Sequence, residues 1–114
     1  MYSKEIIKGT LKPIILKLLH DNGRMYGYEI TSKVKALTKD KIQITEGALY
    51  PLLHKLEADE IVSTEKEFIG KRVRKYYTLT PEGETIADTA VNEVLDFMVT
   101  IKAILLSETK PSNG

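Results

Sequence analysis

Lys71-Arg72-Val73-Arg74-Lys75 places four cations in five residues, the densest charge in the chain. A short distance upstream, Glu46, Gly47, Tyr50, Pro51, His54 and Lys55 recur at helical spacing on the side opposite an apolar stripe. Cations beside a polar helical face suit a polyanion. Arg and Lys meet phosphates, and a helix with a polar outer side offers hydrogen-bonding groups to base edges. Catalysis has no comparable support. The two histidines, His20 and His54, fall on different predicted helices, and cysteine is absent, as are HExxH and Gly-rich phosphate motifs. His20 sits at a helix end, where a cation suits the dipole, and reads as structural. No catalytic residue, cofactor or metal site is expected.

These residues need a helix and a ribbon to position them. In Thr45–Ala58, Ala48, Leu49, Leu52, Leu53 and Leu56 recur three and four apart, and Thr45 is placed to cap the first turn. Pro51 removes the bond to the Gly47 carbonyl and predicts a kink or a loosened first turn. After Ala58 the period changes to two. Ile61–Thr80 reads as an antiparallel ribbon broken at Ile69-Gly70. The alternation places Arg72 and Arg74 on one side, Lys71 and Lys75 on the other, with Tyr77 inward and Tyr76 outward. Tyr50 has two readings of equal weight: contact with a phosphate or base edge, or packing over the start of its own helix or on the ribbon.

Upstream, Thr10-Leu11-Lys12-Pro13 predicts a helix start, because proline is tolerated in the first turn. Residues 1–9 read either as an arm or as a short helix capped by Ser3. Leu11, Ile14, Ile15, Leu18 and Leu19 form the stripe, and Asn22-Gly23 ends it. A second helix spans roughly Tyr28–Leu37, with Tyr26, Ile30, Val34 and Leu37 on one face and Lys33 and Lys35 elsewhere, near where a phosphate would lie. Lys41–Thr45 alternates briefly and predicts at most a short third strand beside the ribbon. Thr80-Pro81-Glu82 opens the last helix, which continues to about Ser107. Along it Ala87, Val91, Val94, Met98, Ile101 and Leu105 are spaced as a coiled-coil seam, with Ile86, Ala90, Phe97 and Ile104 as a second stripe. Two stripes on one helix exceed what a small body covers, so one is expected to face its own chain and the other a second copy.

The fold class read from these patterns is mainly α with a small antiparallel β-ribbon. The 114 residues suit one domain with an appendage. Residues 1–80 are expected to bind DNA, 81–108 to form a dimerisation helix, and 109–114 a disordered tail. The net charge of +1 hides a segregation. Residues 1–81 carry 15 basic and 10 acidic side chains, and residues 82–114 carry 2 and 6. The basic body suits a polyanion, and the acidic helix keeps away from it. No apolar run is long enough to span a membrane, and no signal-peptide core is visible, so the expected location is cytoplasmic.

Four stretches in order resemble the PadR family of bacterial transcriptional regulators. They are Gly9-Thr10-Leu11 with Ile15–Leu19, Tyr26-Gly27-Tyr28-Glu29-Ile30, Gly47–Leu53 with Leu56-Glu57, and Arg74–Gly83. The single long last helix is similar to the short subclass. The resemblance implies a winged helix-turn-helix, with Tyr28–Leu37 as supporting helix and Thr45–Ala58 as recognition helix. It further implies a homodimer paired through the C-terminal helix and part of the N-terminal one, repression at an inverted repeat in double-stranded DNA, and release by a small-molecule effector. Phe97, the last helix's only aromatic, is the candidate effector contact, and the effector's identity stays open. The residues expected at DNA are Lys33, Thr45, Glu46, Gly47, Tyr50, Pro51, His54, Lys55, Lys71, Arg72, Arg74 and Lys75. The alternative function is a winged-helix dimer that docks proteins and does not read DNA.

Overall fold

The computed structural model describes residues 2–108, so the tail expected at 109–114 lies outside the described residues. The elements run α1 (Lys4–Asn22), β1 (Arg24–Tyr26), α2 (Gly27–Leu37), α3 (Glu46–Ala58), β2 (Val62–Ile69), β3 (Arg72–Leu79) and α4 (Pro81–Leu105). The sheet is antiparallel with strand order β1-β3-β2. This is a winged helix-turn-helix, with β2 and β3 as the wing and α4 extending the body to a length of 71 Å.

Of the two readings of residues 1–9, the helix capped by Ser3 is the one found, and it is continuous with the helix expected to start at Thr10–Pro13. Ser3 caps it, its hydroxyl accepting from the Ile6 N–H, and Pro13 lies inside the helix rather than in its first turn. The carbonyl that Pro13 leaves unbonded belongs to Gly9, an exposed residue, so the helix continues without stranding a buried polar group. Leu11, Ile15, Leu16, Leu18 and Leu19 are buried. The core they enter also holds Ile30 and Val34 of α2, Leu49, Leu53 and Leu56 of α3, Tyr77 and Leu79 of β3, and Ala87 of α4.

The third strand is Arg24–Tyr26, not Lys41–Thr45. Lys39 and Asp40 adopt positive φ (51° and 66°) after α2. Thr38 then holds the turn, its hydroxyl donating to the Val34 carbonyl and accepting from the Ile42 N–H. Half-buried Ile42 and buried Ile44 account for the alternation there: both side chains reach the core, but no strand pairs with their backbone. Leu37 is exposed, so the apolar face of α2 ends a turn earlier than its spacing implied.

Thr80 joins the wing to α4. Its N–H donates to the Ile61 carbonyl, its hydroxyl donates to the Glu60 carbonyl at 2.8 Å, and the same oxygen accepts from the Gly83 N–H at 2.9 Å. Gly83 is required at this crossing, because a Cβ there would lie 2.0 Å from the Ile61 carbonyl oxygen.

Ala87 departs from the seam expected on α4. It is 2% exposed within the chain's own core. Val91, Val94 and Ile101 are half-buried, and Met98 and Leu105 are exposed. The helix therefore changes partner along its length, covered by its own body at the start and open toward the end. The open part carries Leu95, Phe97, Met98, Val99, Ile104, Leu105 and Leu106. With Ile6, Gly9 and Thr10 of α1 it borders an open groove of about 1200 Å³.

Candidate nucleic-acid interface

The helix α3, expected to be the recognition helix, presents its polar side outward. Glu46, Gly47, Tyr50, Pro51, His54 and Lys55 are all exposed, while Leu49, Leu53 and Leu56 hold the inner side in the core. Ala48, expected on the apolar face, is exposed as well. Thr45 caps the helix, its hydroxyl accepting from the Ala48 N–H. The helix runs unbroken through Pro51. As with Pro13, the unbonded carbonyl, here that of Gly47, faces solvent. A Cβ at Gly47 would meet nothing within 4 Å, so nothing within the chain demands a glycine there.

Tyr50 rests on the start of α2. A Cβ at Gly27 would lie 2.4 Å from the Tyr50 hydroxyl oxygen, so only glycine admits the ring in this position. The two helices of the helix-turn-helix thereby touch through one tyrosine, which still leaves 38% of its surface open.

The wing cations divide three ways. Lys71 and Arg72 stand free at the tip, where Gly70 takes φ +62° in a two-residue turn, and among the described residues neither has an acidic partner. Arg74 is half-buried, its guanidinium 4.5 Å from the centre of the Tyr26 ring. Lys75, expected at the DNA surface, is turned back toward the body. Its ammonium donates to Glu57 of α3 at 2.9 Å, and Glu57 also accepts from the Thr64 hydroxyl at 2.7 Å. The hydrogen bonds from Lys75 and Thr64 hold the Glu57 carboxyl below the usual carboxylate range. The reciprocal bond raises Lys75. Burial pushes the neighbouring Tyr77 phenol up. On the supporting helix Lys33 is exposed, and Lys55 of α3 makes a loose exposed pair with Asp59 at 3.6 Å.

Tyr76 is buried, where strand alternation had placed it outward. Side chains of the neighbouring strand β1 cover it on that face. Tyr26 of β1 meets the Tyr76 ring edge-on at 5.4 Å, and the Arg24 guanidinium lies 3.9 Å over it. Arg24 escaped the sequence reading. From β1 it reaches across the central strand to both Glu65 and Glu67 on β2, and these pairs raise its pKa, the Glu67 hydrogen bond most. The wing's two carboxylates are thus matched by one cation. No short motif announces that pairing, since the partners lie 41 and 43 residues apart.

A helix with an open polar side, backed by a supporting helix and flanked by a ribbon with free cations at its tip, defines the class: a winged helix-turn-helix protein that binds DNA. The chain belongs to the PadR-like family of transcriptional regulators, whose sequence profile matches residues 15–88. Members of this family regulate transcription and are not enzymes. A transcriptional regulator of Mycobacterium tuberculosis is 31% identical over 80 residues, covering 70% of this chain and 71% of its own. The solved structure of a PadR-like transcription factor from Bacteroides fragilis is 32% identical, with a TM-score of 0.71, covering 88% of this chain and 94% of that one. A transcriptional regulator from Clostridium thermocellum is 28% identical, with a TM-score of 0.76, covering 96% of this chain and all of that one. Among the described residues no helix is long and apolar enough to cross a membrane.

Proposed function

We propose that this DNA-binding regulator is a homodimeric repressor of an inverted-repeat operator, and that a small-molecule effector releases it. The observation that carries the reading is the joint presentation of the open side of α3 and the free tip cations, with Glu57 and Lys75 fastening helix to wing. Gly47, Tyr50, Pro51, His54 and Lys55 approach the major groove, where the bare backbone at Gly47 permits close contact. Thr45, Glu46 and Lys33 lie toward the flanking backbone. Lys71 and Arg72 meet phosphates beyond the groove, with Arg74 held behind them by Tyr26. Two-fold symmetry then sets half-sites about 10 bp apart or a multiple of that.

Dimerisation is assigned to residues 81–108. The apolar residues of the α4 end are too numerous to stay in water, and Met98, Ile101 and Leu105 of the expected seam border the same groove. Phe97 borders it too, which makes it the candidate effector contact. An effector acts only through different affinities for two arrangements of the dimer.

The test is binding of the purified protein to its own promoter fragment, titrated against salt with scrambled DNA as competitor. A protected symmetric site that survives competitor supports the reading. Equal, steeply salt-dependent binding to both DNAs rejects sequence-specific repression at that promoter. Arg72→Ala reduces the salt slope by about one if the tip meets a phosphate.

A further inference from the structure

The wing ends in apolar residues as well as cations. Phe68 and Val73 are register partners on adjacent strands and are 75% and 51% exposed. Neither belongs to the core, so the fold does not explain them. Exposed Lys66 and Lys71 flank the pair on its own face, and exposed Arg72 adjoins it from the other face of β3. The nearby carboxylates, Glu65 and Glu67, are engaged by Arg24 and sit at alternate positions of β2, on the opposite face from Phe68. An apolar patch ringed by unpaired cations is complementary to a polyanion that also offers apolar surface. Duplex DNA does so through sugar faces and base steps in its minor groove.

The reach is adequate. Contact with α3 ends at Thr64 and Lys75, both held by Glu57. Phe68 lies four residues beyond Thr64 on the same face, or about 13 Å of strand at 3.3 Å per residue. That exceeds the minor-groove depth of about 7.5 Å, so Phe68 has the length to approach the groove floor.

We propose that Phe68, braced by Val73, is an apolar wedge that the wing presents to the minor groove, where it packs on sugars and partly unstacks one base step. It rests on the reading that the wing meets DNA. Phe68 then contributes a part of the affinity that salt does not screen. It also favours flexible pyrimidine–purine steps under the wing, at positions without a base-edge hydrogen bond. Lys71 and Arg72 hold the flanking phosphates.

The experiment uses the full chain and a duplex that the wild-type protein selects from a random-sequence pool. Phe68→Ser, Phe68→Leu and Arg72→Ala are compared for affinity across a salt series and for DNA bending by gel phasing. Phe68→Ser is expected to bind about tenfold more weakly, as loss of one buried aromatic contact implies. Its salt slope stays that of wild type and its bend is smaller, while Phe68→Leu recovers most of both. The side chain is exposed, so circular dichroism and melting temperature stay unchanged. If Arg72→Ala lowers the slope but Phe68→Ser binds and bends as wild type, the wedge is overturned and the wing contact stands. If neither variant alters binding, the wing contact fails and the wedge with it.

Discussion

Glu57 on the recognition helix accepts a hydrogen bond from Lys75 on the wing at 2.9 Å, and a second from Thr64 on the adjacent strand. One carboxylate therefore holds both wing strands to the end of the proposed recognition helix. Its worth in stability is small, because both partners are about one-third exposed. Its worth in geometry is larger, because it fixes the wing against α3, the two elements proposed to meet DNA.

Glu57→Gln is expected to cost about 0.5 kcal/mol of stability and several-fold in DNA affinity. The pair also predicts a pH dependence. The Glu57 carboxyl is lowered in the folded chain, so its contribution is present above the ordinary carboxylate range and lost as pH falls through the folded value. Lys75 is raised, so its contribution is present below the ordinary lysine range and lost as pH rises through the folded value. Melting curves of wild type and Glu57→Gln should differ by a constant amount between about pH 5 and pH 10 and converge on further acidification.

Gly27→Ala separates function from stability. The new methyl displaces the far end of the Tyr50 side chain, which can swing into solvent, so the melting free energy should change by less than about 1 kcal/mol. DNA affinity should fall nonetheless, because Tyr50 leaves its position on the helix-turn-helix. In a double-mutant cycle the effects of Gly27→Ala and Tyr50→Ala on binding should be strongly non-additive. Additive losses would show that Tyr50 does not act from its place on Gly27.

Gly83→Ala behaves differently, because the atom in its way is a backbone carbonyl that cannot rotate aside. Either α4 or the loop at Ile61 must move. The expected cost is about 2 kcal/mol or more, read as a clear fall in melting temperature. A wild-type melting curve would refute the tight crossing.

Along α4, acidic substitutions should have opposite effects at its two ends. Ala87→Asp buries an unpaired carboxylate and should abolish cooperative folding. Met98→Asp and Leu105→Asp place charge on exposed apolar surface and should leave helical content intact. Light scattering should then report monomers, and a variant that stays dimeric would place the interface elsewhere.

The sequence disclosed most where a local rule governs. Thr45, Thr80 and Pro81 announced their helix starts, and the wing followed from its period of two and Gly70. Pro13 misled because a proline's cost depends on whether the carbonyl it strands is wet, and exposure of Gly9 is a tertiary fact. Tyr76 and Ala87 misled for a related reason. A strand with neighbours on both sides, and a helix that changes partner midway, bury residues that alternation or heptad spacing assigns outward. Arg24 and Gly27 could not be read at all, since their partners Glu65, Glu67 and Tyr50 meet them only once the chain has folded. Lys75 sits in the most conspicuous charge cluster, yet it serves the protein's own geometry.

The joint at Thr80 gives α4 leverage. Twenty-five helical residues make an arm of about 37 Å at 1.5 Å per residue, joined to the carbonyls of Glu60 and Ile61 and packed along α1, so that it moves with the body. A sideways shift of about 3 Å at Leu105 is then a rotation of about 5° at the pivot. Passed to α3, the same angle moves the ends of a helix about 20 Å long by roughly 1.5 Å relative to each other. Hydrogen bonds to bases tolerate a spread of about half an ångström. A small displacement far from the DNA is thus enough to spoil the fit of the reading helix, without any change inside the body that carries it.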